Sequence, residues 1–214
     1  MSTNRHADPL RPLNGWPLLA LTSSLLLALA IAILAAMPGV DGIRMLIRAT
    51  ARTSVLLFLL AFVAGAVWQL WPAAPSRWLR ANRRYFGLSF AVSHGIHLLA
   101  IYALMQADPV LFHQLANPVT YVTGGLAYAF IIAMSATSFD RSAAWIGPRA
   151  WHLLHRVGVH YLWISFIFAF GKRIAQGPFY WFVLAVLVSA LVLRLVAGAK
   201  GAGLPHDGTA GPQA

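Results

Sequence analysis

Imidazole holds metals and moves protons near neutral pH, and this chain concentrates it in apolar surroundings. Of eight histidines, five stand in two long apolar runs. His94 and His97 lie in "RANRRYFGLSFAVSHGIHLLAIYALM" (80–105). His152, His155 and His160 lie in "PRAWHLLHRVGVHYLWISFIFAFGKR" (148–173). His6 and His206 sit in polar ends, and His113 is expected at the surface in "ADPVLFHQLANP". An ionisable side chain inside a bilayer is costly and marks function by default.

Spacing sorts these groups. On a helix, His94 and His97 are about 60° apart and share one broad face. His152 and His155 share a face in the same way, while His160 lies about 140° round from His155. A neutral imidazole in hydrocarbon needs a partner for each nitrogen. Two such rings on different apolar helices suit a b-type haem, whose iron takes one nitrogen from each side and whose porphyrin fills the space between helices. Gly87, Gly95 and Gly158 suit close approach in such a bundle. Zinc is the weaker reading, since it prefers a tighter cluster with a carboxylate or thiolate. A proton-relay transporter is weakened by the scarcity of acids. Interhelical hydrogen bonding is the bland alternative for every one of these rings.

The elements that would carry these residues are membrane helices. Of 214 residues, 59% are hydrophobic and 10% charged, far below the ~25% charged of soluble domains, and mean hydropathy is +0.69. About 20 mostly apolar residues span a bilayer. Six such runs are expected, at Trp16–Met37, Ser54–Trp71, Tyr85–Met105, Val119–Thr137, Ala150–Phe170 and Phe179–Val196, with Pro or Gly at each break. The fold class is an all-α six-helix membrane bundle over 16–197. It is flanked by a polar tail (1–15) and a small-residue tail (198–214) expected to be disordered. The first apolar run is too long for a cleaved signal and is read as a retained helix.

The formal net charge of +11 fits Lys and Arg at membrane boundaries better than nucleic-acid binding. Ten basic residues (Arg5, Arg11, Arg77, Arg80, Arg83, Arg84, Arg141, Arg149, Arg194, Lys200) fall on one side, and five (Arg44, Arg48, Arg52, Lys172, Arg173) on the other. This predicts cytoplasmic termini and an inner-membrane, multi-pass protein surrounded by lipid. "DGIRMLIRATAR" (41–52) puts Arg44, Arg48 and Arg52 on one face. It is expected as a short separate helix lying in the outer interface, or else as a cationic face for a headgroup or a cofactor carboxylate. Without cysteine, thiolate ligands and disulfides are excluded.

"NRRYFGLSFAVSHGIHLL", "WHLLHR" with "HYLW", and "RATARTSVLLFLLAF" resemble the ferric reductase-like transmembrane domain superfamily. Within it they resemble the haem-binding membrane subunits of periplasmic methionine sulfoxide reductase systems. The resemblance covers about 44–173. It implies a b-type cytochrome passing electrons across the membrane, with His97 and His155 as the iron ligands. The family places a second histidine about thirteen residues after the first in this later helix, where this chain has Phe168, and an earlier one near Arg83. His160 is a substitute ligand on that view, and His94 sits closer in depth than His97 to the candidates of the Ala150–Phe170 run. Both stay in the ligand set with His97 and His155. One haem is expected, with Arg44, Arg52, Arg83 and Arg84 as propionate or headgroup contacts. The chain shows no GxGxxG fingerprint in a βαβ setting. Electrons would therefore come from a quinol, from a flavin on another protein or from a partner reductase. Trp151, Tyr161, Trp163 and Trp181 are candidates for a cofactor or quinone site, or for interface anchors. The rival from another class is a haem-free membrane scaffold or assembly subunit with hydrogen-bonding histidines.

Overall fold

The computed structural model describes residues 13–116 and 118–202. They form α1 (Trp16–Ala36), α2 (Val40–Leu70), α3 (Ala74–Ala81), α4 (Arg83–Ala107), α5 (Pro109–Leu115), α6 (Pro118–Ala136), α7 (Asp140–Ile146), α8 (Pro148–Gly171) and α9 (Pro178–Ala202), with a 3-10 turn at Ile174–Gln176. There is no strand among the described residues. Six of the helices (α1, α2, α4, α6, α8 and α9) are long and apolar enough to cross a membrane. They correspond to the six expected runs, so the chain is an all-α membrane bundle.

Proline starts these elements. Pro17, Pro75, Pro109 and Pro148 each stand in the first turn of their helix, where the missing N–H has no intrahelical partner to lose. Gly147 precedes α8 with φ 78°, a left-handed conformation that glycine adopts without steric penalty. The Gly147–Pro148 pair therefore reverses the chain sharply into the helix that carries three histidines.

Three features differ from expectation. Residues 41–52 do not form a separate interfacial helix: they are the first part of α2, which runs 31 residues without a break. No proline lies between Val40 and Leu70. At about 1.5 Å per residue α2 is roughly 46 Å long, against a hydrocarbon core of about 30 Å. Its arginines therefore ride on a helix that outreaches the bilayer. Short helices α3, α5 and α7 occupy connections expected as loops, so His113 lies on α5, where it is exposed. Gly198–Ala202, expected to be disordered, continue α9; the rest of that tail and most of the N-terminal tail lie outside the described residues.

The interior is rich in phenylalanine. Phe58, Phe62, Phe86, Phe90, Phe166 and Phe170 are all buried, beside Leu162 and Leu187. Leu25, Ile31, Leu99, Val122 and Ile132 turn outward, which in a bilayer is the stable arrangement. α2 packs along α4, and α1 lies against both; α6 packs on α8, and α9 closes against α2 and α8. Where α2 meets α4, hydroxyls are buried instead of hydrocarbon. Thr53 and Ser54 each lie within hydrogen-bond reach of Ser93 Oγ, at 2.8 and 2.9 Å. Thr22 meets Ser89 at 2.6 Å across α1 and α4. At the start of α4, buried Asn82 accepts from Gly15 N at 2.8 Å and donates to Asn14 Oδ1 at 2.8 Å, tying that end of α4 to the entry of α1.

Candidate functional site

α4 and α8 do not pack closely along their length. At the end where both helices begin, a cavity of about 390 Å³ opens between them, within the ~300–1,000 Å³ of small-molecule sites. Arg83, Arg84, Gly87 and Phe90 line it from α4, and Trp151, His152, His155, Arg156, Val159 and Leu162 from α8. Phe58, Ala61 and Phe62 of α2, Ile131 and Met134 of α6, and Arg194 of α9 complete the walls. The mouth is cationic and exposed, and the floor is hydrocarbon.

His155 is the imidazole best built into this site. Its ring stacks on Trp151 with centroids 4.3 Å apart, and the Trp151 indole N–H donates to Thr137 O at 2.8 Å. His155 Nε2 lies 3.3 Å from Thr137 Oγ1. Thr137 has one hydroxyl proton, and its nearer acceptor is Ala133 O at 2.7 Å. The imidazole is then the donor into Oγ1, so its other nitrogen keeps a lone pair. At 3.3 Å this bond is longer than the usual range and holds the ring weakly. Arg83 lines the same cavity from α4.

The arginines are poorly neutralised. Among the described residues there are two ion pairs, Arg44–Asp41 at 3.6 Å and Arg84–Asp140 at 3.2 Å. Arg194 sits inside the bundle, donating to Phe62 O at 2.7 Å with its guanidinium 4.3 Å from the Phe62 ring centroid. Arg83, Arg156 and Arg194 line the cavity with no carboxylate partner. Cations held together beside hydrocarbon favour an anionic group between them.

The other candidates lie elsewhere. His97 lies seven residues beyond Phe90, the last residue of α4 that lines the cavity, which is about two helical turns. Its Nδ1 is 2.9 Å from Thr50 Oγ1 of α2, and Thr50 in turn lies 2.7 Å from Leu46 O. This repeats the arrangement at His155: an imidazole donating to a threonine whose proton is used within its own helix. His94 stacks on His97 at 5.2 Å and packs against Phe90 and Tyr128. Its Nδ1 is buried without a hydrogen-bond partner. Phe58, Phe90 and Phe166 form a triangle of rings 5.2–6.1 Å apart. Phe58 and Phe90 line the cavity, and Phe90 and Phe166 touch His94. This aromatic wall stands between the two histidine levels, so His97 and His155 are not brought together. His160 donates Nδ1–H to Arg156 O at 2.7 Å and meets the edge of Phe62; it does not line the cavity.

Arg83 and Arg84 are at the site, but Arg44 and Arg52 are not. Arg44 pairs with Asp41, and Arg52 lies 4.6 Å from the Phe179 ring centroid on the far side of the bundle. Phe168 is 71% exposed, so the position where the family carries a histidine looks outward here. Gly158, expected to admit a flat ring, instead seats Met134 and Phe130 of α6, while Gly87 and Gly95 face open space. Of the aromatic candidates Trp151 lines the cavity, Tyr161 and Trp163 bond backbone carbonyls of α6 and α9, and Trp181 is exposed. Arg156 and Arg194 are site residues that sequence reasoning did not select, and His152, one of the five histidines it singled out, was left outside the ligand set. For Arg194 the available signal was an arginine eight residues inside the end of an apolar helix with no acid nearby. Among the described residues no three His, Asp or Glu side chains gather as a metal-ion site. No family model, no curated protein and no solved structure matches the chain.

Proposed function

We propose that the chain is a b-type haem protein of the inner membrane that carries electrons for a redox partner, with the haem seated in the cavity between α4 and α8. The observation that carries this reading is the make-up of that cavity: an oriented imidazole, hydrocarbon walls, and three lining arginines without carboxylate partners. A haem has matching parts in porphyrin and two propionates, and for the iron the lining offers imidazoles from α8 alone, with no histidine from α4. When bound, it would supply reversible one-electron chemistry. His155 would ligate the iron, with Trp151 and Thr137 orienting the ring. Arg83, Arg156 and Arg194 would hold the propionates, while Phe58, Phe90 and Leu162 keep water from the far edge. On the orientation that the basic residues predict, the cavity would open to the cytoplasm, where a flavoprotein or reductase would deliver electrons. Quinol is the donor if delivery occurs from the bilayer.

Haem absorbance of the purified full-length protein is the test. A Soret band is expected in the wild type and its loss in His155→Ala. A colourless protein after expression with ample haem would sink the reading. One specific observation favours the haem-free alternative: His97 bonds α4 to α2 through Thr50, and His155 bonds α8 to α6 through Thr137. That alternative predicts no absorbance and unchanged stability on replacing His155 by glutamine, which can still donate.

A further inference from the structure

The cavity between α4 and α8 holds more positive charge than the protein itself neutralises. Arg83, Arg84, Arg156 and Arg194 line it from three helices. Among the described residues Arg84 alone of these four has a carboxylate partner, Asp140 at 3.2 Å. Two of the four lie well along their helices. Arg156 is eight residues past Pro148 and Arg194 is eight before Ala202, about 12 Å from each helix end. Charge carried that far along an apolar helix is costly unless an anion meets it. Arg194 has instead a backbone carbonyl, Phe62 O at 2.7 Å, and the Phe62 ring. Beside the arginines the lining turns to hydrocarbon: Phe58, Phe90 and Leu162.

We infer that this cavity binds an anionic phospholipid, with its phosphate among Arg83, Arg156 and Arg194 and the first methylenes of an acyl chain against Phe58, Phe90 and Leu162. Basic pockets between membrane helices recognise such headgroups. A guanidinium holds two oxygens of one phosphate at once, so phosphate is the chemistry that arginines select. A free phosphate would meet the same charge and leave the apolar lining wet; a lipid covers it, and each methylene buried adds affinity. A zwitterionic lipid brings its own cation to the arginines, so net charge sets the selectivity. The inference stands on the arginines and the apolar lining, not on the haem reading. Both occupants would use the same arginines, so a haem entering the cavity would release the lipid.

The test is native mass spectrometry of the full-length protein, delipidated in detergent without added haem and titrated with phosphatidylglycerol or phosphatidylcholine. One phosphatidylglycerol per chain is expected to bind about tenfold or more tightly than phosphatidylcholine. Arg194→Gln should weaken phosphatidylglycerol binding about fivefold. Arg156 is exposed, so Arg156→Gln gives the same reading should the Arg194 variant not fold. Arg52→Gln, on the far side of the bundle, should change nothing. A Cβ on Gly87 would meet nothing within 4 Å, so Gly87→Leu should fold and weaken lipid binding by filling part of the cavity. Equal affinity for the two lipids, or binding indifferent to both arginine variants, overturns the inference. Inorganic phosphate that displaces phosphatidylglycerol at equal concentration makes this a free-anion site and overturns the lipid assignment. A protein that binds haem and shows no lipid preference overturns the inference and leaves the haem reading standing. A protein that holds phosphatidylglycerol and stays colourless with ample haem supports the inference and sinks the haem reading.

Discussion

Thr137 and Thr50 do the same work for two different histidines. Thr50 sits inside α2 and Thr137 directly follows the last residue of α6; each gives its hydroxyl proton to a carbonyl one turn back and presents its oxygen to an imidazole on a neighbouring helix. Such outer contacts orient a ligand and tune its affinity. Thr137→Val keeps the shape and removes the acceptor. It is expected to lower haem affinity by about tenfold, the lower end for such contacts, because the bond is 3.3 Å long. Thr50→Val is expected to leave haem affinity unchanged, since His97 lies beyond the aromatic wall. Haem titration of the apoprotein measures both. A loss in Thr50→Val with none in Thr137→Val would place His97 at the iron and reject the assignment to His155.

At the level of elements, the cavity exists because α8 leans on α6 and α9 and not on α4. Gly158 makes this possible: a Cβ there would lie 2.8 Å from Met134 Sδ and 3.1 Å from Phe130 Cδ1. The sulfur belongs to a flexible side chain, so Gly158→Ala is expected to cost little. Gly158→Leu overfills the contact and should cost about 1–3 kcal/mol, read from denaturant unfolding in detergent. Wild-type stability in the leucine variant would show that α6 and α8 are not held together here. The long α2 belongs to the same scale. Its arginines were expected to lie on a separate helix because hydropathy dips there. A dip in hydropathy ends an apolar run without ending a helix, and only a proline or an unsatisfied turn does that.

For the whole molecule, the basic residues predict which face is which. The chain has no cysteine, so single cysteines can report topology directly. In intact cells, a membrane-impermeant maleimide should label Arg173→Cys but not Arg77→Cys, with the second labelled only after the membrane is opened. The reverse pattern would invert the bundle and put the arginine-lined cavity outside.

The six apolar runs, their helical form and the candidate imidazoles were legible because hydropathy and helical period are local properties of the chain. Bilayer thickness then dictates that such runs become spanning helices. Which histidines share a site was not legible. Spacing along a helix gives the face of a residue relative to its own neighbours, but not the tilt and depth of one helix against another. Motif position favoured His97 with His155. Packing interposed Phe58, Phe90 and Phe166 between them, because large rings fill the interior wherever the helices cross closely. Arg194 joined the site from the last helix, over a hundred residues away from Arg83, because α9 returns to the end where α4 and α8 begin. Side-chain type announced the chemistry available to this protein, and the crossing of its helices decided which residues can perform it together.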